Sequence, residues 1–169
     1  MSAADALAIV RALLTLPIAW AILAGVRDVA LVLFLAAALT DALDGYLARR
    51  WRTLSPRGDF LDPMADKILI VGTLLALTVA GAGWPVTVVT ILVALREGLV
   101  ALLRARALAR GIGMPADSIA KAKTVMEMAG VALVIVGGRP WAVVGAGVVG
   151  VAFLVGLATL PRYLSARLA

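Results

Sequence analysis

The chain contains no cysteine and no histidine. Without thiols there is no disulfide framework, no Cys-ligated zinc and no cysteine nucleophile. Without imidazole there is no haem–His ligation and no His acid–base step. Proton transfer near neutral pH is left to carboxylates, lysine, tyrosine or metal-bound groups. Charge is scarce as well: 15% of the 169 residues are Asp, Glu, Lys or Arg, against roughly 25% in an average soluble domain. Several signatures are missing too. There is no P-loop, no G-x-G-x-x-G after a strand, no G-x-S-x-G elbow and no calcium loop of EF-hand spacing. No internal repeat, low-complexity tract or linker interrupts the chain. The N-terminus lacks the basic n-region and small-residue cleavage site of a signal peptide, so its first apolar run reads as a retained helix.

What the chain has in abundance is apolar length. It is 63% hydrophobic, more than a soluble protein of this size could hide. Solid apolar runs, rather than dyad alternation, argue against a β-barrel. At about 20 residues per span they predict an all-α integral membrane protein with six transmembrane helices in a single domain, residues 1–169. The runs are about Ala6–Gly25, Val29–Tyr46 (continuing as helix to about Arg50), Asp59–Ala80, Trp84–Ala107, from Asp117 or Ser118 to Val136, and Trp141–Leu160. Arg27-Asp28, Gly81-Ala82-Gly83 and Gly137–Pro140 are expected turns, and Pro161-Arg162 the start of a basic tail.

The net charge of +6 does not call for nucleic acid in so apolar a chain. It reads as positive-inside loops in contact with anionic lipid. Arg49, Arg50, Arg52 and Arg57 follow the second run, and Arg104, Arg106, Arg110, Lys121 and Lys123 follow the fourth. Arg162 and Arg167 lie in the tail, while the opposite side has only Arg27 and Arg139. Both termini are therefore expected in the cytoplasm.

Against this apolar background, residues 41–66 read DALDGYLARRWRTLSPRGDFLDPMAD and hold five of the ten acidic residues: Asp41, Asp44, Asp59, Asp62 and Asp66. Carboxylates in or near a bilayer are costly, so such a cluster marks a functional site. Asp41 and Asp44 are spaced i, i+3, and Asp62 and Asp66 i, i+4, so each pair shares one helix face. Two such faces brought together would make a four-carboxylate pocket. Its mutual repulsion is relieved by a divalent cation with oxygen ligands, such as Mg²⁺, Mn²⁺ or Ca²⁺. Asp59 is expected to cap a helix. Lys67 stands evenly between a site role and a snorkelling anchor.

The spacing Asp41-x2-Asp44-Gly45-x2-Ala48-Arg49-x8-Gly58-x3-Asp62-x3-Asp66 resembles the signature of the CDP-alcohol phosphatidyltransferases, membrane enzymes of phospholipid synthesis, at all eight positions. The resemblance implies that Asp41, Asp44, Asp62 and Asp66 hold two divalent ions, Mg²⁺ or Mn²⁺, on a CDP diphosphate. It also implies that Asp66 is the base for the acceptor hydroxyl. Gly45 and Ala48 are small enough for a nucleotide or phosphate to approach the helix backbone, and Arg49 can grip a phosphate with its fork. Gly58 permits the third helix to return beside the second.

Three further patches bear on the acceptor. Arg11 follows Leu7 as in the N-x-L-T-x-x-R segment of family members that make phosphatidylglycerophosphate, with Asp5 and Ala8 replacing Asn and Thr. Ala94-Leu95-Arg96-Glu97 resembles their A-L-R-E segment. Lys121-Ala122-Lys123-Thr124 resembles their K-x-K-T, with Glu127 in place of the Gln that follows. Phe60–Lys67 fits their F-L-D-P-x-A-D-K form. The expected acceptor-phosphate residues are Arg11, Arg96, Lys121, Lys123 and Thr124. An Arg96–Glu97 pair is awkward for adjacent helix positions about 100° apart. Arg104, Arg106 and Arg110 are expected as lipid-surface anchors.

The resemblance implies a transfer from CDP-diacylglycerol to glycerol 3-phosphate that releases CMP. The enzyme would be a homodimer in the inner (cytoplasmic) membrane, its site facing the cytoplasm. Other acceptors remain open within the family: phosphatidylglycerol, as in a cardiolipin synthase of this fold, or an inositol phosphate. A phospholipase D-type cardiolipin synthase is excluded, since that chemistry needs His. A divalent-cation transporter would explain the acids, but not Gly45, Ala48, Arg49 and Gly58 at fixed spacing. The topology is open to test: a reporter inserted after Gly83 should read non-cytoplasmic, and a cytoplasmic signal would overturn it.

Overall fold

A computed structural model describes residues 3–51, 58–110 and 118–165; within them, side chains are described for 6–40, 64–107, 109–110 and 122–158. Among the described residues the chain is all helix, with six helices and no strand: α1 (Ala3–Leu23), α2 (Arg27–Trp51), α3 (Gly58–Val79), α4 (Trp84–Ala109), α5 (Ser118–Val136) and α6 (Arg139–Ser165).

The helix ends follow local chemistry. Gly25 and Gly81 adopt φ of 76° and 77°, a region L side chains avoid. Each closes its helix with the paired bonds of a Schellman motif. Gly25 N donates to the Ile22 carbonyl and Val26 N to that of Ala21; Gly81 N donates to Thr78 and Ala82 N to Leu77. Pro85 and Pro140 sit in the first turns of α4 and α6, where the missing N–H is no loss. Arg27 and Arg139 thus open helices instead of lying in turns. Pro161 does not end α6, which runs on to Ser165. A transmembrane-type helix absorbs a proline by satisfying the freed carbonyl locally.

Side-chain contacts fix the directions. Arg11 meets Asp66 and Thr15 meets Gly72, so α1 and α3 run parallel. Val89 lies beside Gly150 and Arg96 beside Gly156, so α4 and α6 run parallel. Lys67 meets Glu97 at 3.2 Å and Thr78 meets Thr90 at 3.1 Å, which makes α3 and α4 antiparallel. Gly130 and Val134 on α5 meet Val149 and Gly145 on α6, again antiparallel. The result is an up-and-down bundle. Its three glycine turns gather at one end, and its basic connections lie at the other. Arg27 ties the first and third turns together, its guanidinium lying against Gly137.

Ile18, Phe34, Leu69, Leu74, Leu77, Val93, Val131, Ile135 and Val149 fill the core. Large apolar side chains such as Leu16, Val32, Leu39, Val79, Leu95, Val125 and Leu154 face outward, as lipid-facing positions do. Exposed Trp20, Trp84 and Trp141 flank the three glycine turns, where a membrane-interface aromatic belt belongs. Among the described residues, three segments are long and apolar enough to cross a membrane: Ala6–Leu23, Trp84–Ala107 and Arg139–Ala158.

Over the described lengths α2 packs on α1 and α5, and α3 packs on α1, α4 and α5. α1 and α5 are neighbours of both; the expected return of α3 beside α2 after Gly58 falls on side chains outside the described residues.

Helix contact is closest between α5 and α6. A Cβ on Gly145 would stand 2.6 Å from the Gly130 carbonyl oxygen, so only glycine fits. The glycines of α6 therefore serve contact within the chain at this point. Gly145→Ala should lower the unfolding midpoint in detergent by the equivalent of about 1–3 kcal/mol. Gly147, where a Cβ meets nothing within 4 Å, should tolerate Ala or gain up to about 1 kcal/mol. Equal responses would contradict the packing.

Candidate active site

The Asp41–Asp66 stretch spans the end of α2 and the start of α3. Helical backbone is continuous over 27–51 and resumes at Gly58. Asp41, Asp44, Gly45, Ala48 and Arg49 therefore lie on one uninterrupted helix, and Asp62 and Asp66 on the next. The i, i+3 and i, i+4 spacings are thus helical spacings. The side chains of Asp41, Asp44, Arg49, Asp62 and Lys121, and the surroundings of Gly45, Ala48 and Gly58, lie outside the described residues. Asp59 falls inside the first turn of α3, one residue after its start, where a negative charge suits the helix dipole.

Asp66 is described. Its carboxylate is 18% exposed and takes a 2.8 Å bond from Nη1 of Arg11, itself 2% exposed. The structure therefore joins Arg11, expected beside the acceptor phosphate, to the candidate base. Among the described residues no three acidic side chains gather into a metal-binding group; three of the four expected ligands lie outside that set.

Two of the acceptor candidates, Arg96 and Lys123, sit in a buried charge cluster formed by α3, α4, α5 and α6. Arg96, Glu97, Lys123 and Glu127 are each at most 8% exposed. Arg96 Nη1 and Lys123 Nζ both donate to Oε1 of Glu97. Lys67 Nζ stands 3.2 Å from Oε2 of the same carboxylate, and Lys123 lies 3.0 Å from Glu127. Arg96 Nη2 donates to the Gly156 carbonyl at 3.0 Å. Thr124, half-buried, is the next residue of α5.

Three expectations change here. The Arg96–Glu97 pair does form, because both long side chains bend to one interior where either charge alone would be costly. Lys67 is no snorkelling anchor; it turns inward to Glu97. Arg104 is half-buried, with its Nε lacking a hydrogen-bond partner among the described residues, so it is less exposed than a lipid-surface anchor would be. Arg106 and Arg110 are exposed, as expected. Glu97 and Glu127 as the centre of the cluster were missed. The signal was present in the intramembrane Glu97 and in Glu127 standing where a neutral Gln is expected.

A family model of CDP-alcohol phosphatidyltransferases matches residues 1–159. The chain belongs to the CDP-alcohol phosphatidyltransferase family. Relatives named CDP-diacylglycerol–glycerol-3-phosphate 3-phosphatidyltransferase are similar to it. That of Shigella flexneri is 33% identical over 154 residues, 89% of this chain and 82% of its own length. That of Cereibacter sphaeroides is 40% identical over 110 residues, 64% of this chain and 49% of its own length. That of Mycoplasma genitalium is 37% identical over 99 residues, 59% and 41%. The matched stretch thus spans most of the first relative and less than half of the other two.

The Arg11–Asp66 contact is testable by a double-mutant cycle. Removing one partner of a fully buried pair costs about 3–5 kcal/mol. With Asp66 still 18% exposed, Arg11→Met should cost about 2–3 kcal/mol in detergent, less for its partial solvation. The Arg11→Met/Asp66→Asn double variant should lose less than the sum of the two single variants. Strict additivity would contradict the pair.

Proposed function

We propose that the chain transfers the phosphatidyl group of CDP-diacylglycerol to sn-glycerol 3-phosphate, forming phosphatidylglycerophosphate and CMP. The observation that carries this is the intact eight-position signature, Asp41 to Asp66, within a family match over 1–159 and beside relatives of that activity's name. We place the site at the basic end of the bundle, on the cytoplasmic face of the inner membrane, with all six helices spanning and both termini cytoplasmic. The basic connections support that orientation. The family resemblance supports a homodimer.

The donor set of Asp41, Asp44, Asp62 and Asp66, all oxygen ligands on two continuous helices, suits Mg²⁺ or Mn²⁺. Two such ions would neutralise the diphosphate and polarise its phosphorus. Gly45 and Ala48 leave room for the nucleotide, and Arg49 binds its phosphates. Arg11 orients Asp66. Asp66 takes the proton of the acceptor's hydroxyl as that oxygen bonds to the phosphatidyl phosphorus. The bond from that phosphorus to the CMP oxygen breaks, and CMP leaves with the electron pair. Arg96, Lys123 and Lys67, with Lys121 and Thr124 on the same helix as Lys123, hold the acceptor phosphate at the buried cluster.

CMP release from CDP-diacylglycerol in detergent should require glycerol 3-phosphate and Mg²⁺ or Mn²⁺, and chelation should abolish it. Asp66→Asn should lower kcat by about 10²–10⁴-fold; a wild-type rate would remove Asp66 as the base. If another alcohol replaces glycerol 3-phosphate at full rate while glycerol 3-phosphate is inert, the acceptor assignment is wrong.

A further inference from the structure

Three cations from three helices converge on the single carboxylate of Glu97. Lys67 of α3 meets one oxygen, and Arg96 of α4 and Lys123 of α5 both meet the other. The sixth helix closes the group from behind. The Gly156 carbonyl fixes Arg96, and a Cβ at Gly156 would come within 3.2 Å of Arg96 Cζ and Nε and of Lys123 Cε. The helix surface there is thus shaped around those two side chains. Lys67, Arg96 and Lys123 thus present three donors to the two oxygens of one carboxylate, the pattern that two oxygens of a phosphate would receive.

We propose that Glu97 is an internal stand-in for the acceptor's phosphate. It keeps Lys67, Arg96 and Lys123 converged in the absence of acceptor and surrenders part of their hydrogen bonding when a phosphate monoester enters. Glu97 is thus a positioning residue, and this role rests on the acceptor reading above. Preorganisation spares the cations a rearrangement on binding. Competition from the carboxylate weakens phosphate binding below what bare cations would give. A neutral polyol has no charge with which to displace Glu97, so the exchange also selects for a monoester dianion.

The test compares wild type, Glu97→Gln and Glu97→Asp in detergent. It uses thermal unfolding with inorganic phosphate, sn-glycerol 3-phosphate or glycerol, and steady-state kinetics. Glu97→Gln should unfold at lower temperature without phosphate. Phosphate should then raise its midpoint about twice as far as that of wild type, because a tighter ligand stabilises more. Its KM for glycerol 3-phosphate should fall with no rise in kcat. Glu97→Asp, which keeps the charge, should follow wild type, and glycerol should shift none of the three. A phosphate-induced shift in Glu97→Gln equal to or smaller than that of wild type overturns the proposal. If Glu97→Gln cannot be extracted in phosphate-free buffer, it should be recovered in phosphate buffer; loss in both also overturns it. A larger shift from phosphatidylglycerol, a diester monoanion, than from glycerol 3-phosphate overturns the monoester assignment. If neither phosphate nor glycerol 3-phosphate affects wild type, the acceptor site itself is misplaced. That outcome is distinct from a wild-type response that Glu97→Gln fails to exceed.

Discussion

Charge inside an apolar bundle must be paired or solvated, and that constraint shapes the interior of this protein. Hydrocarbon offers no water to a carboxylate, guanidinium or ammonium, so each buried ion needs partners supplied by neighbouring helices. Glu97 meets this need for Lys67, Arg96 and Lys123 at once. Arg11 and Asp66 meet it for each other. These contacts link α1 to α3, and α3 to α4 and α5, while the Gly156 carbonyl brings in α6. Apolar packing alone discriminates weakly between helix arrangements in lipid, where tails are as apolar as leucine. The polar contacts therefore supply much of the register of the bundle.

The same constraint separates the molecule into two ends. The end with the glycine turns is compact and capped: Schellman closures at Gly25 and Gly81, Arg27 against Gly137, and tryptophans at the rim. The other end carries longer basic connections, the aspartate stretch and the inward-facing cations. We place the proposed site for a water-soluble phosphate and a lipid-anchored nucleotide there, near the headgroups.

Much of this was legible in the sequence, for identifiable reasons. The six helices follow from apolar runs broken by Gly and Pro, and their bounds agree with expectation to within a few residues. The largest departure is at Pro161, because a membrane-type helix tolerates a proline that would stop a soluble one. The aspartate motif was legible because its members sit close together in the chain at helical spacing. The Glu97 cluster was not. Its members lie on three helices, and single-sequence spacing does not say which helices are neighbours. Adjacent positions 96 and 97 looked unable to pair on helix geometry alone. The demand of a low-dielectric interior outweighs that geometry. Lys67 stayed open between two readings, and Arg104 was expected on the lipid surface, for the same reason: a lysine or arginine near a helix end looks like an anchor until its neighbours are known.

The central claim is that the end of the bundle carrying the aspartate stretch moves a phosphatidyl group onto a phosphate-bearing alcohol. The most direct measurement supplies the purified chain, in mixed micelles with divalent cation, with CDP-diacylglycerol and glycerol 3-phosphate carrying a radiolabelled phosphate. Label entering the lipid fraction and CMP released are then followed together. The account predicts that the two rise one for one and that neither appears without both substrates. CMP release with no label in lipid, or labelled lipid without CMP, would contradict it.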